Sequence, residues 1–133
     1  MILEAIKLSE KQTSGEVRVF IESKCAFVKA IDRAKEVFEN LNMHKTAQQN
    51  GVLVYVAIKH RQLAIYADAG IYEKVDNSFW QKQLKHMQVK FANEFFAEGI
   101  AEVVLEIGKA LQENFPHQKN DINELPDDIV FGR

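Results

Sequence analysis

Hydrophobic residues recur along much of the chain at the three- and four-residue spacing of an amphipathic helix. Residues 28–41 show this pattern clearly, because apolar side chains line one side of the segment while charged residues occupy the other. Gly15 follows the first such segment as a helix stop, and Pro116 ends the last one. We therefore predict four helices, over residues 2–12, 28–41, 80–95 and 100–115.

Three shorter segments have the pattern of strands, over residues 16–22, 51–58 and 62–68. In the first, Val17, Val19 and Ile21 alternate with other residues, which predicts a partly amphipathic strand. The second is apolar along its whole length, as a strand is when helices cover both of its faces. The loop over 59–61 is too short for a crossover, so the third strand is predicted to form an antiparallel hairpin with the second.

The predicted order of elements is helix, strand, helix, strand, strand, helix, helix. The first two strands and the helix between them form a right-handed crossover with parallel strands. The order therefore predicts an α/β fold, a three-layer α-β-α sandwich on a small mixed sheet. A length of 133 residues suits one core, so we predict a single domain over residues 1–116, followed by a polar, acidic C-terminal tail over 117–133.

The composition of the chain narrows the range of functions that it can have. The chain is 47% hydrophobic and 27% charged, as soluble proteins are, and its net charge of −2 is spread without a basic stripe, so no nucleic-acid partner is expected. No apolar run approaches the roughly 20 residues that span a bilayer, and no signal peptide pattern is present. We therefore expect a cytoplasmic protein without a membrane anchor. Cys25 is the single cysteine and is expected to be a passive thiol.

The strand directions predict where three polar turns meet. Strands one and two begin, and strand three ends, at the same edge of the sheet. This edge gathers residues 13–16, 50–51 and 68–71, whose sequences TSGE, NG and DAGI are polar and contain glycine. Carboxylate and amide oxygens favour Ca²⁺ or Mg²⁺ over zinc. We predict a divalent-metal site with the ligands Asp68, Glu16 and Asn50 and the further contributors Thr13, Ser14, Thr46, Gly51 and Gly70.

Several of these residues also have structural interpretations. Asp68 and Glu16 can cap turns or helices, and the glycines can supply positive φ angles. A rival site at the opposite edge contains Glu22, Ser23 and Asp32, because open α/β sheets bind ligands at the carboxyl ends of strands. The histidines lack the spacing of metal ligands and are expected at the surface; they are His44, His60, His86 and His117.

The chain resembles the TPM domain family in several ordered blocks. These blocks are KQTSGEVRV at 11–19, FENLNMHKTAQQNGVLVYVA at 38–57, AIYADAGIYEKVDNSFW at 64–80 and FAEGIAEVVLEIGKAL at 96–111. The likeness extends to Pro116 and is greatest to a short, soluble bacterial form. It implies an α-β-α sandwich and, for some members, divalent-metal binding and phosphatase activity. Gln49 stands where the family pattern would place an arginine, so a phosphate-clamping role is not expected there.

The residues and the resemblance together give two functional hypotheses. The first is a TPM-like domain that binds Ca²⁺ or Mg²⁺ and has weak acid phosphatase (phosphomonoesterase) activity on a phosphorylated small molecule, with the metal as Lewis acid. The alternative is a non-catalytic interaction module that docks a protein partner and whose ion, if any, only orders loops. No residue stands out as a general base, so the sequence leaves enzymatic activity open.

Overall fold

A computed structural model describes residues 1–11, 13–25, 28–116 and 129–132 of the chain. Its helices are α1 (Ile2–Glu10), α2 (Ala30–Asn40), α3 (Ala69–Tyr72), α4 (Asn77–Ala92) and α5 (Phe96–Asn114), with a 3₁₀ turn over Met43–Lys45. Its strands are β1 (Glu16–Glu22), β2 (Gly51–Ala57), β3 (Gln62–Ala67) and β4 (Ile129–Phe131). The predicted helices and strands are all present, and α3 and β4 are additional.

The strands form one mixed sheet in the order β3-β2-β1-β4. β1 and β2 are parallel, with Glu16 opposite Gly51 and Glu22 opposite Ala57. β3 is antiparallel to β2, as the short loop between them requires. The predicted α/β fold on a mixed sheet is thus confirmed.

Helices cover both faces of the sheet. α1, α4 and α5 pack on the face that carries Val17, Val19 and Val54. α2 packs on the other face, against Phe20 and Tyr55. Because β2 is covered on both sides, all 7 of its residues are buried, as its apolar sequence indicated.

β1 departs from the partly amphipathic strand that the sequence pattern predicted. Arg18 and Glu22 alternate with the core valines but are only 7% and 6% exposed, so they lie on the α2 face and not in solvent. Glu16, at the start of the strand, is 2% exposed. Burying an ionised side chain is costly unless the side chain is paired or hydrogen-bonded. The partners of these residues therefore determine which role this face of β1 has.

The strand β4 was not predicted from the sequence. It pairs in parallel with β1, and Gly132 N donates a hydrogen bond to Ile21 O over 2.7 Å. A strand of 3 residues is too short for a periodic signal, and its extended form depends on the β1 edge that it covers. Residues 117–128, including His117, lie outside the described residues, and the domain boundary at Pro116 stays a prediction.

Most helix bounds differ from the predicted ones by one to four residues. α4 ends at Ala92 and not near Phe95, because Glu94 has a φ angle of 64° and turns the chain into α5. Phe95 is consequently 51% exposed and lies outside the core. α1 ends at Glu10, and the predicted end at Gln12 lies outside the described residues.

Candidate functional site

The turns that the sequence placed at one edge of the sheet do lie together. We call residues 13–16, 46–51 and 68–71 the entry edge, because β1 and β2 begin there. Glu16 N donates a hydrogen bond to Asn50 O over 3.3 Å, and Asp68 N donates one to Gly51 O over 2.9 Å. These bonds join all three turns, so Glu16 and Asp68 flank Gly51 across the end of the sheet.

Two of the predicted hydroxyl contributors have structural partners at the entry edge. Thr13 Oγ1 accepts a hydrogen bond from Gly15 N over 3.0 Å and donates one to the carbonyl oxygen of Phe115. Thr46 Oγ1 accepts a hydrogen bond from Asn50 N over 3.3 Å. Both threonines are buried, so they fix the shape of the turns.

Asn50 and Asp68 each carry one side-chain oxygen with unused hydrogen-bonding capacity. Asn50 is 1% exposed, and its Nδ2 donates to Ser14 Oγ over 3.5 Å and to Gln48 Oε1 over 3.4 Å. Asp68 caps α3, since its Oδ1 accepts a hydrogen bond from Ala69 N over 2.8 Å. Asn50 Oδ1 and Asp68 Oδ2 are buried and have no hydrogen-bond donor among the described residues. An unsatisfied buried acceptor costs about 1–3 kcal/mol, and a bound cation relieves that cost.

Glycine is required at position 70 of the entry edge because a side chain would have no room there, and not because of the backbone conformation. A Cβ atom at this position would lie 2.1 Å from Gln48 O and 2.5 Å from Gln49 O. Gln49 has a φ angle of 52°, and its carbonyl oxygen accepts a hydrogen bond from Ile71 N over 3.3 Å. The two turns are therefore in direct backbone contact at the glycine. No described glycine has a positive φ angle, so the interpretation that these glycines supply such angles is wrong.

The opposite edge, where β1 and β2 end, holds a second cluster. Glu22 accepts hydrogen bonds from Arg33 Nε over 3.0 Å and from Arg33 Nη2 over 3.1 Å, and a third from the hydroxyl of Tyr55. We call these three residues the exit-edge network. Of the predicted rival site, Ser23 and Asp32 are exposed and lie outside this network. Arg33 and Tyr55 were missed, because an arginine on a charged helix face and a tyrosine in an apolar strand give no distinct sequence signal.

The exit-edge network shifts the pKa of each of its members. Burial raises the pKa of Glu22, but hydrogen bonds from Arg33 and Tyr55 and the positive charge of Arg33 outweigh burial and leave the pKa below its usual value. Burial and then the hydrogen bond to Glu22 raise the pKa of Tyr55. The hydrogen bond to Glu22 raises the pKa of Arg33. The network is therefore an ion pair with a neutral tyrosine, which joins β1, β2 and α2.

The lowered pKa of Glu22 predicts an acid-sensitive contribution to stability. A carboxyl group with a depressed folded-state pKa stabilises the fold above its unfolded-state pKa, and that contribution is lost as the pH falls through the folded-state pKa. We expect the free energy of unfolding in urea to fall more steeply below about pH 4.5 in the parent protein than in Glu22→Gln. Equal pH slopes for the two proteins would contradict the lowered pKa of Glu22.

Cys25 is buried near the exit-edge network and interacts with Tyr55. His60 Nδ1 lies 3.1 Å from Cys25 N and 3.0 Å from Cys25 O. The imidazole therefore contacts the cysteine backbone and not the thiol that it would activate in a Cys–His pair. The passive role expected of Cys25 stays a prediction. The three described histidines are exposed, as expected; they are His44, His60 and His86.

Two findings limit what the described residues can form. The described residues contain no group of three or more His, Cys, Asp and Glu side chains that could hold a metal ion. A cation at the entry edge would therefore need the Asn50 amide, backbone carbonyl groups or water to complete its coordination. In the same part of the chain, no helix has both the length and the apolar character needed to cross a membrane.

Two solved structures resemble this architecture. The BA42 protein from the psychrophilic bacterium Bizionia argentinensis, solved by NMR, matches with a TM-score of 0.90 and 41% sequence identity, over 98% of this chain and 90% of that one. The N-terminal domain of the cg2496 protein from Corynebacterium glutamicum matches with a TM-score of 0.58 and 11% identity, over 97% of this chain and 72% of that one. The second likeness is one of fold alone.

Sequence comparison adds a family to the fold. No curated protein matches the chain. The family model of the TPM domain matches residues 2–110, which include the whole entry edge and the exit-edge network. With most of its length matched by this model, the chain belongs to the TPM domain family.

Proposed function

We propose that this TPM domain binds a divalent cation, Ca²⁺ or Mg²⁺, at the entry edge. One observation carries the proposal: Asn50 Oδ1 and Asp68 Oδ2 are buried acceptor atoms of neighbouring turns, without a donor among the described residues. Glu16 is the third proposed ligand, since it begins β1 opposite Gly51 and is 2% exposed. Hard oxygen donors of this kind suit these two ions.

The donor set predicts weak binding. It offers two carboxylates and one amide, and the affinity of an oxygen site rises with the number of charged ligands and the rigidity of the site. We therefore expect a dissociation constant of about 10⁻⁴–10⁻³ M, with backbone carbonyl groups and water as the remaining ligands. The backbone contact at Gly70 supports the site by holding the turn that carries Asn50 against the turn that carries Asp68.

Weak phosphomonoesterase activity is the finer part of the proposal, and it comes from the family resemblance. A bound divalent cation supplies Lewis acidity toward a phosphoryl oxygen. The entry edge contains no histidine, lysine or arginine, so Glu16 and Asp68 are its titratable side chains. A cation ligand is a poor general base, which is why turnover is expected to be slow.

Asp68→Asn is the variant that tests cation binding. Asparagine keeps an oxygen that caps α3 but removes the negative charge, so we expect binding to weaken at least about tenfold while the fold is retained. The measurement is a titration of ¹⁵N-labelled protein with CaCl₂ and MgCl₂, followed through the amide shifts of residues 50–51 and 69–71. Asp76→Asn is the matched control, because Asp76 caps α4 in the same way, with Oδ1 accepting from Ser78 N over 3.1 Å.

The same proteins separate the two functional hypotheses. If Asp68→Asn binds the ion as well as the parent does, Asp68 is not a ligand and the proposed site is wrong. Hydrolysis of p-nitrophenyl phosphate that requires Mg²⁺ and is lost in Asp68→Asn would support the phosphatase. Ion binding without turnover above background would instead support the non-catalytic interaction module, in which the ion orders the turns.

A further inference from the structure

A groove on the helical surface of the protein is lined by α1, α4 and α5. Its volume of about 910 Å³ falls within the range of roughly 300–1,000 Å³ that is typical of small-molecule sites. Leu8 of α1 and Val89 of α4 line it and are 53% and 52% exposed, and Leu105 of α5 adds a third apolar side chain. Contiguous apolar surface of this kind is a feature of binding sites.

Gln83 supplies an amide group to the groove. The residue as a whole is 5% exposed, and it lies on the face of α4 that also buries Trp80 and Met87. No hydrogen bond joins its amide to another described residue, whereas buried Ser9, which also lines the groove, donates to Val104 O over 3.2 Å. An amide without a protein partner can donate a hydrogen bond to a ligand that accepts one.

Two acidic residues line the groove, and both are already paired. Glu102 contacts His86 Nε2 and lies 3.5 Å from Lys90 Nζ, and the hydrogen bond with His86 is the main cause that lowers the pKa of Glu102. Glu106 lies 3.2 Å from Lys109 Nζ. An anion in the groove would therefore meet carboxylates whose charge is largely compensated.

Two lysines give the groove a cationic end. Lys82 and Lys85 line it, are exposed, and form no ion pair within the part of the chain that the structure describes. They precede and follow Gln83 in α4, so two ammonium groups and an amide donor come from one stretch of helix. Charged donors of this kind bind carboxylates through strong hydrogen bonds.

We propose that this groove binds a free aliphatic carboxylic acid, of the chemical class of medium-chain fatty acids. Lys82, Gln83 and Lys85 hold the carboxylate, and the aliphatic chain lies against Val89 and Leu105. Val89 follows Lys82 by seven residues, or about 10 Å along the helix axis, which suits a chain of roughly eight to ten carbon atoms. This binding is separate from the cation site at the entry edge.

Decanoate is the probe for the test, added below its micelle concentration to the ¹⁵N-labelled full chain. We expect saturable amide shifts around Gln83 and Leu105, and much weaker effects from acetate, which lacks the chain, and from decyl maltoside, which lacks the charge. Lys82→Glu combined with Lys85→Glu should weaken decanoate binding about tenfold, since the charge attraction becomes repulsion. Lys35→Glu, on α2 across the sheet, is the matched control and should bind as the parent does.

Val89→Glu tests the apolar part of the groove. Loss of one apolar contact and a negative charge beside the aliphatic chain should weaken decanoate binding by at least about tenfold, while Val28→Glu, at an equally exposed valine outside the groove, should leave it unchanged. Saturable shifts that both groove variants reduce would support the proposal. The proposal is overturned by an absence of saturable shifts in the groove, by unchanged affinity in these variants, or by binding to phosphatidylglycerol vesicles without binding to decanoate.

Discussion

Replacing Arg33 by methionine should destabilise the protein by roughly 2–3 kcal/mol, because the buried carboxylate of Glu22 would lose both hydrogen bonds from the guanidinium group. Removing one partner of a fully buried ion pair costs about 3–5 kcal/mol. Arg33 is 27% exposed, so water moderates the loss. Urea unfolding near neutral pH measures the change in the free energy of unfolding.

Glu36→Gln is the control for this expectation. Glu36 also pairs with Arg33 but is 62% exposed, so its loss should change stability by less than about 0.5 kcal/mol. The double variant Arg33→Met with Glu22→Gln should be less destabilised than the sum of the single variants, because no charge is then left buried. Two results would contradict the role given to the exit-edge network. One is a double variant that loses as much stability as the two single variants added together. The other is an equal loss of stability in Glu36→Gln and Arg33→Met.

Replacing Gly70 by alanine should destabilise the protein by about 3 kcal/mol, at the upper end of overpacking costs. The new Cβ atom would lie 2.1 Å from Gln48 O and 2.5 Å from Gln49 O, and these backbone atoms can move only with the whole turn. We also expect the variant to lose the cation-dependent amide shift of Asn50, because the turns separate. Thermal unfolding and the CaCl₂ titration measure the two effects.

Gly51→Ala is the matched control at the same edge. Its Cβ atom would approach Met43 O at 3.2 Å, a distance that a small shift relieves, so a loss below about 1 kcal/mol is expected. A Gly70→Ala protein as stable as the parent would show that the two turns are not in backbone contact.

The entry edge was predictable because its parts follow from strand direction. The parallel crossover and the hairpin fix which strand ends meet, so the convergence of Glu16, Asn50 and Asp68 required no knowledge of packing. The use of each side chain was not predictable. Thr13 and Thr46 were expected to contribute to a metal site, and the structure adds hydrogen bonds between their hydroxyl groups and the backbone of Phe115 and Asn50.

The complete exit-edge network and the groove could not be predicted from the sequence, for a different reason. Glu22 was expected in a rival site at this edge, but its partner Arg33 lies in a different element and looks like an ordinary surface charge on a helix face. Gln83 likewise follows helical spacing as a polar residue on the buried face of α4. Such residues acquire a role only when another element covers or faces them.

The sequence by itself determined four of the five described helices, the first three strands and the edge at which the polar turns gather, because periodicity and loop length are local properties of the chain. The tertiary structure alone decided that Arg18 and Glu22 are buried and that residues 129–131 form an edge strand. Burial depends on what packs against a residue, and pairing depends on which edge is open. Neither property is contained in the spacing of hydrophobic and polar positions.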